Sequence, residues 1–177
     1  NCIRRSLKNK SSEEIDRTLN ACINVFRFIK DKDVFEKYNR NHLAKRLLQQ
    51  KSLSNEIEMS MITKLKQEIG SSFTARLEGM FKDVKLSQEM SNEFNNKFAR
   101  QGARETGVGS KIRAANNGRK LELEFSILTP SFWPMPINKA MDDVILPPEL
   151  QILKDSGREF YDTKHKGRNL TWAPNFG

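Results

Sequence analysis

No proline occurs before residue 130 of this 177-residue chain, and all six follow in the remaining 48 positions. Proline inside a helix removes a donor and clashes with the preceding turn. A span of this length without one is open to long helices. Four of the nine glycines then fall between 102 and 118. The chain is therefore expected to fall into a helical part (11–100), a flexible basic loop (101–120) and a proline-punctuated remainder (121–177). Residues 1–10, "NCIRRSLKNK", read as the end of an earlier helix, and the sequence is expected to be a piece of something longer.

Apolar spacing supports the helical reading. Ile15, Leu19, Cys22, Phe26 and Ile29 follow one another at steps of 4, 3, 4 and 3, one seam along a helix. Ser11 with Glu14 fits a capping box ahead of it. Asp33 is expected to cap a second helix running to about Gln50, and Asn55 with Glu58 to box the start of a third. That helix carries Ile57, Met61, Leu65 and Ile69 and ends at Gly70 in a left-handed cap. Ser72 is expected to open a fourth, bearing Phe73, Leu77, Met80, Phe81 and Val84. Leu86, Met90, Phe94 and Phe98 mark a fifth. Short connections imply mostly antiparallel neighbours.

After the loop, Leu121, Leu123, Phe125 and Ile127 alternate with Glu122, Glu124 and Ser126, the period of a half-buried strand. Pro147 and Pro148 suit the first turn of a helix reaching to about Lys164, with Leu150, Leu153 and Phe160 inward. "NLTW", Asn169 to Trp172, looks like the start of a second strand. One strand and part of another do not make a stable sheet. A further strand is expected from sequence beyond this chain or from another protein. The fold class is mostly α: an antiparallel helical bundle followed by the start of a small α/β domain with an incomplete sheet.

Charge limits the function classes. Residues 1–100 carry 20 Lys/Arg against 13 Asp/Glu, residues 101–120 add +4 and residues 121–177 come to −2, for a net charge of +9. Such a chain favours acidic partners through a salt-dependent field. Cys2, Cys22, His42 and His165 lack ligand spacing, so no metal site is expected. No nucleophile stands in a recognisable turn, and Gly102, Gly107 and Gly109 form no phosphate loop, so neither catalysis nor a cofactor is expected. Two cysteines without a secretory leader fit a reducing compartment, with Cys22 buried as a thiol. No apolar run approaches the roughly 20 residues of a membrane span. The basic loop could bind phosphates without sequence preference. It has no interleaved aromatics for stacking on bases, and no specific nucleic acid is expected.

The stretch "YNRNHLAKRLL", Tyr38 to Leu48, sets three basic side chains and a histidine among leucines. At 100° per residue, Phe35, Tyr38 and His42 share one side, with Lys45 and Arg46 near it. Leu43 and Leu47 fall on a second side, and Ala44 and Leu48 further round. The helix is expected to meet more than one neighbour, with His42 as a hydrogen-bonded core or boundary residue. Lys45 and Arg46 either cover the aromatics with their stems or pair with carboxylates of a neighbouring helix.

Five blocks together resemble the cullin family, the scaffolds of multisubunit ubiquitin ligases. They are "DKDVFEKYNRNHLAKRLL" (31–48), "MITKLKQEIGSSFTARLEGMFKD" (61–83), "ILTPSFWP" (127–134), "LPPEL" (146–150) and "KGRNLTW" (166–172), in the family's order. The chain looks most like the first and third cullin types. The resemblance implies a piece of the C-terminal half: the end of the last N-terminal repeat, the helical bundle and the opening of the α/β domain.

In that family the α/β sheet is completed by a strand from the RING-box protein. The resemblance therefore implies a RING-box surface at residues 121–129 and 170–172, with Leu121, Leu123, Phe125, Ile127, Leu170 and Trp172 as its residues and Trp133 and Trp172 as supporting core. A basic groove that attracts the acidic tail of a ubiquitin-conjugating enzyme is similar to the cluster Arg4, Arg5 and Lys8. The implied protein is a non-catalytic, cytoplasmic and nuclear scaffold that meets its substrate adaptor through repeats outside this chain. The loop at 101–120 looks longer and more basic than the family's usual connection. The modifier-acceptor lysine also lies outside, so this segment alone is not expected to be an active ligase. The alternative, from charge alone, is a basic helical nucleic-acid-binding module.

Overall fold

The computed structural model describes residues 10–49, 54–102, 122–135 and 145–173. Among them are five helices: α1 (Ser12–Arg27), α2 (Lys32–Leu48), α3 (Asn55–Ile69), α4 (Ser71–Gly102) and α5 (Pro148–Lys164). The chain forms two compact units. The first runs to Val84 and takes in Leu128–Met135; the second comprises Lys85–Ile127 and the residues from Pro136 onward.

In the first unit the helix starts differ in how they are capped. Ser11 and Glu14 make both halves of the capping box that opens α1: Glu14 N–H donates to Ser11 Oγ and Ser11 N–H to the Glu14 carboxylate. Asp33 is not a cap. Helix α2 begins two residues earlier, with Asp31 at the N-cap, and Asp33 lies in the first turn where the helix dipole favours a negative charge. Asn55 and Glu58 do not form a box either. Ser54 caps α3 by accepting from Glu56 N–H, and Glu58 is drawn away to Arg46. Gly70 alone joins α3 to α4 at φ +94°, ψ 169°, a region that glycine enters without strain. It is a glycine break, as anticipated, but outside the left-handed helical basin.

The expected fourth and fifth helices are one, α4, of 32 residues. The apolar stripe steps sideways between Val84 and Leu86, which in apolar terms reads as a break. Asp83, Ser87 and Ser91 are all buried, as are Met90 and Phe94, so polar residues share the buried side of the helix with apolar ones.

Two clusters fill the first unit. Ile23, Phe26 and Leu65 gather Phe35 and Phe73, with the Phe26 ring 4.9 Å from Phe35 and 6.0 Å from Phe73. Leu43, Ala44 and Leu47 join Leu77, Met80 and Trp133 in the other. Helix α2 thus contributes to two clusters, as its multi-sided pattern implied. His42 and Tyr38, however, are exposed, so His42 is neither core nor boundary. Arg46 takes the structural alternative. It makes a two-pronged pair with Glu58 of α3, Nε to Oε1 at 2.6 Å and Nη2 to Oε2 at 2.9 Å, the carboxylate being almost wholly buried. Arg27 grips Glu68 in the same way on the surface, tying α1 to α3.

Segment 128–135 closes this unit through one carboxylate. Asp83 Oδ2 accepts from Thr129 N–H (2.7 Å) and from Trp133 Nε1–H (2.8 Å), and Oδ1 accepts from Thr129 Oγ1 (3.0 Å). Phe132 lies so close to α4 that a Cβ on Gly79 would come within 2.5 Å of its ring.

In the second unit, Met90 and Phe94 of α4 pack with Phe125, Leu153 and Tyr161. Helix α5 has the expected bounds, with Pro148 in its first turn. Leu153 is buried and Phe160 partly so, but Leu150 is 42% exposed and Tyr161, 3% exposed, is the deeper aromatic. A step of four places Tyr161 a full turn beyond Gly157, on the face that meets the cluster. No strand is assigned among the described residues.

Candidate functional site

The segment in which a strand was expected is extended but bonded to a helix. Its burial alternates as anticipated: Glu122, Glu124 and Ser126 are exposed, Leu123 and Ile127 half-buried, and Phe125 only 8% exposed. The inward side chains enter the cluster of the second unit, where the Phe125 ring meets Phe94 edge-on at 5.7 Å. Gly157 of α5 permits this approach, since a Cβ there would stand 2.7 Å from Leu123 Cδ2 and 3.2 Å from Phe125 Cζ.

The backbone bonds run to side chains of α4 in a regular register. Leu123 N–H donates to Asn95 Oδ1 and Asn95 Nδ2 donates back to Leu123 C=O, both at 3.0 Å. Phe125 N–H donates to Ser91 Oγ at 2.8 Å. Ile127 N–H donates to Ser87 Oγ at 2.8 Å, and the same hydroxyl reaches Ile127 C=O at 3.4 Å. Four residues of helix advance about 6 Å and two residues of extended chain about 6.5 Å. A polar side chain once per turn can therefore meet every second amide of an antiparallel extended segment. Ser91 Oγ also donates to Ser87 C=O at 2.7 Å, which points its lone pairs at the amide it serves.

Of the residues expected at this surface, Leu123, Phe125, Ile127 and Leu170 are brought to one cluster. Trp172 is half-buried with Lys154 Nζ 5.7 Å from its ring centre. Its indole N–H is buried and has no acceptor among the described residues. Trp133 is a core residue, but of the first unit. Leu121 lies outside the described residues, as do Arg4, Arg5, Lys8 and loop residues 103–120. Among the described residues no three His, Cys, Asp or Glu side chains gather to hold a metal, and no helix is long and apolar enough to cross a membrane. Cys22 is half-buried on α1.

The residues missed from sequence are Ser87, Ser91, Asn95 and Gly157. A signal existed: Asp83, Ser87, Ser91 and Asn95 form a polar stripe at steps of four, immediately beside the apolar stripe Leu86, Met90 and Phe94. Small polar residues flanking an apolar seam usually mark its solvated edge, and nothing local distinguishes a buried stripe from that.

Comparison with known proteins bears on this arrangement. A family model described as the cullin alpha solenoid domain matches residues 1–91, and one described as the cullin alpha+beta domain matches residues 127–177. Cullin-3 of Schizosaccharomyces pombe is 39% identical over 175 residues, which is 99% of this chain and 20% of that protein. Cullin-3 of Dictyostelium discoideum is 38% identical, again over 99% of this chain and 20% of the relative. Cullin-4A of Homo sapiens is also 38% identical, over 99% of this chain and 21% of its own length. The chain thus spans about a fifth of the curated relatives it matches.

Proposed function

Since the chain belongs to the cullin family, we propose that it is part of a non-catalytic scaffold of a cullin-RING ubiquitin ligase. Its extended segment, with Leu170 and Trp172, receives a strand from a RING-box protein and so opens an α/β domain. The basic cluster Arg4, Arg5 and Lys8 steers the acidic tail of a ubiquitin-conjugating enzyme, an effect on encounter rate more than on tightness. Substrate adaptors attach through repeats beyond this chain. The scaffold contributes proximity, not acid–base chemistry, and works in the cytoplasm and nucleus.

The observation that carries this reading is the extended segment 122–128, with Phe125 buried, Leu123 and Ile127 half-buried and the amides of all three bonded to α4. In extended chain the backbone groups of successive residues point in opposite directions. A segment bonded to a helix along one edge therefore directs the other edge away from it, the geometry that strand addition uses. The nucleic-acid alternative draws no support from the described residues.

The test is a binding assay between the full-length chain and a RING-box protein, with DNA and RNA as parallel ligands. Binding is expected to fall at least tenfold for Phe125→Asp, because an unpaired buried carboxylate would dislodge the segment. Absence of RING-box binding by the unaltered chain, with salt-sensitive nucleic-acid binding instead, overturns the scaffold reading. For the basic cluster, charge reversal at Arg4, Arg5 and Lys8 together is expected to slow association with the conjugating enzyme and to flatten its salt dependence.

A further inference from the structure

The three α4 side chains that bond the extended segment take the place of a neighbouring strand. An isolated extended segment has no internal hydrogen bonds and no reason to stay extended in water. Here Asn95, Ser91 and Ser87 supply partners for three successive inward amides, at 3.0, 2.8 and 2.8 Å. The matched rise of helix and strand keeps these contacts in register over five residues. Ser91 is 8% exposed and Ser87 7% exposed, so both hydroxyls work away from competing water. Phe125 and Leu123, seated against Phe94 and Gly157, fix which residues meet which hydroxyl. A slip of one residue would turn the exposed Glu122 and Glu124 inward.

We infer that Ser87, Ser91 and Asn95 are positioning residues for partner binding: they hold residues 123–127 as a preformed strand in fixed register before the RING-box strand arrives. The inference rests on the strand-addition reading above and adds to it where the docking strand's order comes from. A partner that meets a disordered segment must order it at the moment of binding, and its apparent affinity falls by the fraction of time the segment is competent. A helix-templated segment avoids that loss. The effect therefore belongs to the association step. Once the partner strand is in place it holds the segment itself, so dissociation changes little.

The experiment uses the full-length chain carrying Ser87→Ala, Ser91→Ala and Asn95→Leu together, and separately Ser91→Ala and Ser91→Thr. Hydrogen exchange is followed at the amides of Leu123, Phe125 and Ile127, and association and dissociation rates are measured with purified RING-box protein. The triple variant is expected to exchange faster at those three amides and to associate on the order of 10- to 100-fold more slowly. Its dissociation rate should stay within about twofold, and Ser91→Thr, which keeps the hydroxyl, should restore what Ser91→Ala loses. Association at the wild-type rate despite faster exchange overturns the inference, as does unchanged exchange at the three amides. If the triple variant loses helical signal, the comparison of Ser91→Ala with Ser91→Thr decides: equal association rates overturn the inference. A wild-type chain that does not bind the RING-box protein, its three amides protected, overturns the strand-addition reading itself.

Discussion

Asp83 offers a test of whether hydrogen-bond geometry or charge holds segment 128–135 in place. Its side chain is buried, and its carboxylate accepts from Thr129 N–H, Thr129 Oγ1 and the Trp133 indole. Replacing it by leucine leaves the Thr129 amide and the indole N–H without that acceptor, at roughly 1–3 kcal/mol each. Asp83→Leu is therefore expected to destabilise the chain by roughly 2–6 kcal/mol. Asp83→Asn is different. If its carbonyl oxygen takes the Oδ2 position, it still accepts from both N–H groups, and its amide nitrogen then faces a threonine hydroxyl that can accept. Only the reinforcement from charge is lost, about 1 kcal/mol. The assay is urea unfolding followed by Trp133 fluorescence in a Trp172→Phe background, so that one indole reports. A cost for Asp83→Asn as large as that for Asp83→Leu would mean that charge, and not acceptor geometry, is what the site uses. A cost below about 1 kcal/mol for Asp83→Leu would refute the clasp altogether.

Three further outcomes follow from the packing. Gly79→Ala is expected to lose about 1–3 kcal/mol in chemical denaturation, although an alanine in a helix interior would ordinarily gain about 1 kcal/mol, because its Cβ would overlap the Phe132 ring. Arg46→Met alone is expected to cost roughly 3–5 kcal/mol by leaving the buried Glu58 carboxylate unpaired, whereas Arg46→Met with Glu58→Leu should recover most of it, as a double-mutant cycle would show. Glu78 is held below the ordinary glutamate range first by its hydrogen bond from Thr74 and then by Lys66. A depressed folded-state value gives stability that is present at neutral pH and lost as pH falls through it. Glu78→Gln should therefore reduce the acid-side loss of stability and leave the slope of the profile above about pH 5 unaltered, measured by urea midpoints across pH.

Most of the helical part was legible because its signals are local. The α1 capping box involves residues three apart, the α1 seam follows a period of 3.6, and Pro148 announces the first turn of α5. The misplaced caps share one cause. Asp31 caps ahead of Asp33 and Ser54 ahead of Asn55, and which of two neighbouring polar residues becomes the cap turns on where the chain enters the helix. Glu58 failed as a box partner for a tertiary reason: Arg46, twelve residues away, competes for the same carboxylate with two charge-assisted bonds. The exposure of His42 is likewise decided by which helices pack against α2, and the spacing of residues within α2 does not encode that.

The extended segment shows where periodicity stops being informative. Alternation of Leu123, Phe125 and Ile127 with Glu122, Glu124 and Ser126 reports which side chains face a core, and that reading holds. It carries no information about what satisfies the backbone, because a strand neighbour and a helix bearing one polar side chain per turn present acceptors at nearly the same interval. Sheet prediction assumes the first. Here the second supplies the inward edge, with Asn95, Ser91 and Ser87 meeting Leu123, Phe125 and Ile127 in turn. Extension of residues 123–127 is thus a consequence of the polar stripe Ser87, Ser91 and Asn95. A proline introduced at Glu89, between Ser87 and Ser91, should distort that turn of α4 and so speed hydrogen exchange at the amides of Phe125 and Ile127, which those two hydroxyls serve.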